Sequence, residues 1–285
     1  MCDDEIHVGR IEDPRPSRRA FGMMAAAAAS LGGAACAAGV TEKDVQVKTP
    51  DGTSDAVLFH PDGKGKWPAV LIWTDIAGLR PVFREMGGRL AAQGYTVLVP
   101  NPFYRSAKAP VVGPDFDFNK PEDRAKLFAM RGAMSDAGVD KDATAYLAFL
   151  DAQPQTDTAR KAGVQGYCMG GPLAFRTAAA VPGRIGAVGS FHGAGLVTKE
   201  PSSPHLLIPK TQAAYAVCIA RNDDERQPEA KDVLKAAFAE AHRPATVEVY
   251  PANHGWCVRG SPVYDEAQAE RAWKALSDLY KQYLT

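Results

Sequence analysis

The sequence predicts an α/β fold with a mostly parallel central sheet and helices on both faces. Three observations lead there. Short apolar runs alternate with amphipathic stretches from about residue 41 onward, the pattern of repeated strand–helix units. Ala69–Trp73 and Thr96–Pro100 are continuously apolar, as strands covered on both faces must be. The chain has 285 residues, 46% of them hydrophobic, enough for a single large core without metal or disulfide staples.

Each element has its own signal. Val45–Val47 and Ala56–Phe59 alternate like edge strands around an Asp51-Gly52 turn. Residues 81–93 place Val82, Phe83, Met86 and Leu90 on one helical stripe and stop at Gly94. Residues 101–118 are rich in Pro and Gly and read as loop. Helices are expected over 120–133 and 136–151, then a strand at 164–167 and a helix over 170–180. Strands follow at 185–191 and 214–220, a helix at 228–241 with Pro in its first turn, a strand at 246–250 and a closing helix at 263–280. Residues 41–285 contain no internal repeat or linker, so one domain is expected there.

The first forty residues read differently. Ser17-Arg18-Arg19-Ala20-Phe21 is a twin-arginine pattern, an Ala-rich stretch follows to Ala38, and Ala35-Cys36-Ala37 offers a cleavage site. A basic start, a short apolar middle and small residues at the end are the marks of an export signal. The expectation is export by the twin-arginine machinery to the periplasm or beyond; the alternative is an extension that stays attached in the cytoplasm. Cleavage would leave Cys168, Cys218 and Cys257, an odd count that guarantees at least one thiol unpaired within the chain.

Composition excludes several roles. Lys plus Arg and Asp plus Glu number 33 each, without the basic surplus of a nucleic-acid binder. No stretch is apolar enough over 18 residues to suggest a stable membrane anchor. There is no G-x-G-x-x-G or Walker loop, and His254-Gly-Trp-Cys257 lacks the partner pair that a zinc site needs. No cofactor and no metal are expected.

In parallel sheets the ligand site lies beyond the carboxyl ends of the strands, and three strand ends stand out. Gly166-Tyr167-Cys168-Met169-Gly170-Gly171 has the form G-x-C-x-G between strand and helix. This is the nucleophile elbow with sulfur in place of the serine oxygen. A helix N-terminus there favours a thiolate, and the Met169 N–H is one oxyanion donor. Asn222-Asp223-Asp224 follows a second strand, and either carboxylate could orient a histidine. Asn253-His254-Gly255 follows the last strand. Nucleophile, acid, histidine is the α/β-hydrolase order, with His254 as general base. His192 also follows a strand and is a candidate substrate-loop residue.

At these residues the chain resembles the dienelactone hydrolase (carboxymethylenebutenolidase) family of the α/β-hydrolase superfamily, over about residues 41–285. The most specific part is the cysteine in Gly166–Gly171. The resemblance implies Cys168 as nucleophile and His254 as base. The family's aspartate precedes a proline by four residues, so Pro228 selects Asp224 over Asp223. A family segment like Gln-Glu-Ile-Phe-Gly corresponds to Thr74-Asp75-Ile76-Ala77-Gly78. There Asp75 stands for a glutamate that contacts and helps activate the resting thiol, and the Ile76 N–H becomes the second oxyanion donor. Two family arginines hold a substrate carboxylate. Arg105, with Tyr104 beside it, corresponds to one; the other position holds Val258, with Arg259 one place on.

The expected activity is hydrolysis of an activated ester or lactone through a Cys-His-Asp triad and a thioester intermediate. The alternatives are an inert binder of a small acid or aromatic ligand on the same fold, and a thioesterase.

Overall fold

The computed structural model describes residues 39–113 and 115–284. The export segment expected in residues 1–40 lies outside them, apart from Gly39 and Val40. The chain opens with two ten-residue strands, β1 (Val40–Thr49) and β2 (Gly52–Pro61), paired antiparallel from Val40↔Pro61 to Thr49↔Gly52. Both are longer than the alternation predicts. Glu42, Lys43 and Asp44 of β1 are exposed, and charges of this kind on an edge strand protect it from pairing with other chains.

β3 (Ala69–Trp73), β4 (Thr96–Pro100), β5 (Ala162–Tyr167), β6 (Ile185–Phe191), β7 (Ala214–Ala220) and β8 (Ala245–Tyr250) complete an eight-stranded sheet. Its order is β1-β2-β4-β3-β5-β6-β7-β8. β2 pairs antiparallel with β4; every later pairing is parallel.

The buried strands explain the continuous apolar runs, because each side chain faces a helix layer on one side or the other. Ala69, Leu71 and Trp73 join the core on one face, while Val70 and Ile72 join the core on the other. The first face is covered by α2 (Pro121–Gly132), α3 (Asp136–Asp151), α4 (Gly170–Ala180) and α6 (Ala230–Glu240), which contribute Leu127, Tyr146, Phe175 and Phe238. The second is covered by α1 (Pro81–Ala92) and α7 (Glu266–Tyr283), which contribute Phe83, Leu90, Trp273 and Leu276. Truncating any such fully buried leucine to alanine would cost about 2–5 kcal/mol.

Two short elements were not expected. Pro204–Lys210 forms a 3₁₀ turn, and Arg221–Arg226 forms a six-residue helix, α5, where the sequence suggested only loop. The next helix accordingly starts at Ala230 rather than Pro228. Strands β3, β5, β6, β7 and β8 all point their carboxyl ends toward the same rim. The residues after Trp73, Tyr167, Phe191, Ala220 and Tyr250 therefore converge there.

Candidate active site

The corner between β5 and α4 is tight for a definite reason. A methyl on Gly166 would land on the Gly170 carbonyl, and one on Gly170 would sit 2.6 Å from the Trp73 carbonyl oxygen. Both obstacles are backbone and cannot yield. Between them Cys168 adopts φ +52°, a left-handed conformation costly for a side-chain-bearing residue. Its N–H is shared between the Phe191 carbonyl at 3.1 Å and Nδ1 of His192 at 3.1 Å. The thiol lies at the amino end of α4 and lines a narrow pocket of about 30 Å³ that opens to solvent.

His254 lines the same pocket. Its Nδ1 meets Asp223 Oδ2 at 2.6 Å, and its backbone N–H donates to Asn222 Oδ1 at 2.8 Å. Burial opposes protonation of the ring, but the Cys168 thiolate and then Asp223 outweigh it, raising the pKa to about 10. Nε2 has no hydrogen bond of good geometry, and the thiol is the group on that side. The acid assignment from Pro228 is therefore corrected. Asp224 instead accepts from Lys231 Nζ at 2.7 Å. The cause is α5: successive residues on a helix point about 100° apart, so only one of the two carboxylates can face the imidazole.

His192 is fully buried, at φ +40°, with its backbone N–H donating to the Cys218 carbonyl at 2.8 Å. Burial, reinforced by neighbouring His254, holds its pKa well below the usual histidine value. It is neutral, and because Nδ1 accepts from Cys168 the proton resides on Nε2. That N–H lacks a partner among the described residues. The ring stands edge-on to His254, centroids 4.8 Å apart, and to Trp256 at 5.2 Å.

The Ile76 and Met169 N–H groups, the two donors suggested for an oxyanion, make no hydrogen bond among the described residues. Ile76 sits in a turn braced from below. Asp75 Oδ1 accepts the Ala77 N–H at 3.0 Å, and both Asp75 oxygens accept from Arg80, at 2.5 and 2.7 Å. Asp75 thus lines the pocket but is paired with Arg80, and it makes no hydrogen bond to the thiol in this arrangement. Arg80, Phe116 and Phe118 also line the pocket, and sequence reasoning missed all three. The one available signal was an isolated arginine closing the apolar stretch Ile76–Leu79.

Three expected substrate contacts are corrected. Arg105 points under the hairpin, where it forms a two-pronged pair with Asp142 at 2.6 and 2.9 Å and reaches Asp51 at 2.8 Å. Tyr104 donates to Asp142 at 2.8 Å and lies beneath the Arg105 guanidinium. Arg259 is exposed, its nearest carboxylate Glu85 at 3.5 Å. None of the three lines the pocket. Asp142 is buried and would be left uncompensated without Arg105 and Tyr104, which explains their inward turn. Among the described residues no cluster of His, Cys, Asp and Glu could hold a metal ion, and no helix is long and apolar enough to cross a membrane.

This geometry has relatives. The chain is 27% identical over 245 residues to a carboxymethylenebutenolidase of Rhodococcus opacus, covering 84% of this chain and 91% of that one. It is 29% identical over 220 residues to a carboxymethylenebutenolidase of a Pseudomonas species, covering 77% and 86%. In fold it matches the crystal structure of a putative dienelactone hydrolase from Klebsiella pneumoniae, with a TM-score of 0.74 at 21% identity, covering 86% of this chain and all of that one. Residues 54–284 match the sequence profile of the dienelactone hydrolase family. An elbow cysteine beside a histidine on a mostly parallel sheet, with a family match over most of its length, makes this chain a hydrolase belonging to the dienelactone hydrolase family of the α/β-hydrolase superfamily.

Proposed function

We propose that the chain hydrolyses an activated ester or lactone through Cys168, His254 and Asp223 with a thioester intermediate. The observation that supports this best is the buried imidazole held between the Asp223 carboxylate and the elbow thiol. Sγ of Cys168 attacks the acyl carbon, and the carbonyl oxygen gathers charge between the N–H groups of Met169 and Ile76. Each such donor lowers the barrier by roughly 3 kcal/mol. The tetrahedral species collapses with loss of the alcohol, which takes the proton from Nε2 of His254. Water then gives a proton back to that nitrogen as its oxygen attacks the thioester. The acid leaves and Cys168 recovers its place beside the imidazolium. Thiolate is itself a good leaving group, so the acyl donor must be activated for the forward path to compete.

The test is turnover of an aryl ester, 4-nitrophenyl butyrate, by Cys168→Ala. A loss of at least about 10³-fold is expected with the fold intact by circular dichroism. Undiminished turnover would remove Cys168 from the role.

We further propose that residues 1–40 direct twin-arginine export and are cleaved near Ala37. The intact mass of protein recovered from the periplasm tests this; an uncleaved cytoplasmic chain refutes it.

A further inference from the structure

We infer that the pocket takes an acyl group that is apolar and uncharged, and that Arg80 braces the Ile76 turn rather than receiving a substrate carboxylate. This rests on the hydrolase reading above and names its substrate class. Among the described residues Arg80 is the single Lys or Arg lining the pocket, so any carboxylate-bearing substrate would have to engage it. Its two terminal nitrogens are already committed, and Nε alone has no partner among the described residues. Nη1 and Nη2 bind the two Asp75 oxygens at 2.5 and 2.7 Å, and Nη1 also donates to the Gly78 carbonyl at 3.2 Å. Asp75 in turn holds the Ala77 N–H at 3.0 Å. The pair thereby ties both ends of the Asp75–Arg80 loop that carries the Ile76 N–H. Arg80 is 7% exposed and the Asp75 side chain 14%. Withdrawing the guanidinium toward a guest would strand a largely buried carboxylate beside it.

The charge of the other cation of the site is answered as well. Protonated His254 is matched by Cys168 and Asp223. Arg105 and Arg259 lie away from the pocket. Ile76, Phe116, Phe118 and Val258 among the remaining walls reward apolar surface, and the other polar groups there, His192 and Ser261, carry no positive charge to match an anion.

The experiment compares two esters of matched length: the 4-nitrophenyl monoester of succinic acid, anionic at neutral pH, and 4-nitrophenyl methyl succinate, its neutral counterpart. Each rate is corrected for spontaneous hydrolysis. For the wild type, kcat/KM is expected to favour the neutral ester at least tenfold. Asp75→Asn releases the Arg80 charge without removing it. It should narrow that preference at least tenfold through a gain in absolute kcat/KM on the anionic ester, an effect a damaged fold cannot mimic. Equal or faster hydrolysis of the anionic ester by the wild type would overturn the inference. So would an Asp75→Asn variant that folds, by circular dichroism, without that gain. If neither ester is turned over in a Cys168-dependent way, it is the hydrolase reading that falls, which separates the two failures.

Discussion

Two arginine–carboxylate pairs follow neighbouring strands, β4 and β3, and serve different ends. Under the β1–β2 hairpin, Arg105 binds Asp142 and Asp51, Tyr104 bridges Thr49 and Asp142, and the Tyr146 hydroxyl donates to Ser54. The polar groups of that cluster answer one another. At the strand ends the pattern is inverted. Among the described residues Nε of Arg80, Nε2 of His192, Nε2 of His254 and Nε1 of Trp256 are buried without a hydrogen-bond partner, as are single atoms of Thr156, Ser190, Tyr215, Arg243 and Trp273, and the Ile76 and Met169 N–H groups are likewise open. Buried polar groups are normally paired, and departures from local consistency gather where a protein works rather than where it is merely held. The hairpin flank is built for stability; the rim keeps hydrogen-bonding capacity in reserve for a guest.

The largest effect that would sharpen this contrast separates the two neighbouring aspartates. Asp223→Asn should cost about 10³–10⁴-fold in kcat, as loss of a histidine-orienting carboxylate does. Asp224→Asn should stay within about threefold, since it loses only a half-exposed ion pair. The reverse ranking in assays with 4-nitrophenyl butyrate would return the role to Asp224. On the quiet flank, Asp142→Ala should lower stability by about 3–5 kcal/mol in urea unfolding, the usual penalty for breaking a buried pair. The kcat/KM of the folded enzyme should change less than about twofold. A KM that rises selectively for an anionic ester would put Arg105 back among the substrate contacts.

The pH dependence of stability follows from His254. Its folded pKa, raised to about 10, exceeds the ordinary 6.5. The stabilisation is therefore complete below about 6.5 and is lost as the pH climbs through about 10. Wild-type protein should lose at least about 1.4 kcal/mol between pH 6.5 and 10.5, the equivalent of one pK unit. His254→Gln should lack that part of the decline; parallel pH profiles for the two proteins would refute the ion pair. A smaller loss than at Asp223 is expected at His192. Replacement by Phe keeps the ring volume but removes both nitrogens, and kcat should fall about tenfold, the worth of one to two hydrogen bonds. An unchanged kcat would show that the His192 hydrogen bond to the elbow has no catalytic weight.

The architecture was largely legible because physics writes it locally. Strands covered on both faces must be apolar throughout, so Ala69–Trp73 and Thr96–Pro100 declared themselves with correct bounds. The elbow was legible because its two glycines answer backbone collisions, Gly166 with Gly170 four residues on and Gly170 with the end of the neighbouring strand at Trp73. What escaped depended on orientation or on remote partners. The choice between Asp223 and Asp224 turns on a six-residue helix without a buried residue, hence without an apolar stripe to reveal it. The destination of Arg105 depends on Asp142, 37 positions along the chain. Arg80 was hidden by its setting: a charge next to a proline at a helix start reads as surface until its partner Asp75 is seen to be indoors.

The β5–α4 corner has a consequence for how this enzyme could be altered. Glycine is enforced at 166 and 170 by main-chain atoms, while the residue between them is fixed by its neighbours in everything except the identity of its terminal atom. Oxygen or selenium could occupy the same coordinates on an otherwise untouched scaffold. The corner works as a socket: reactivity can be exchanged there one element at a time, whereas a single added methyl at either flanking glycine would dismantle it.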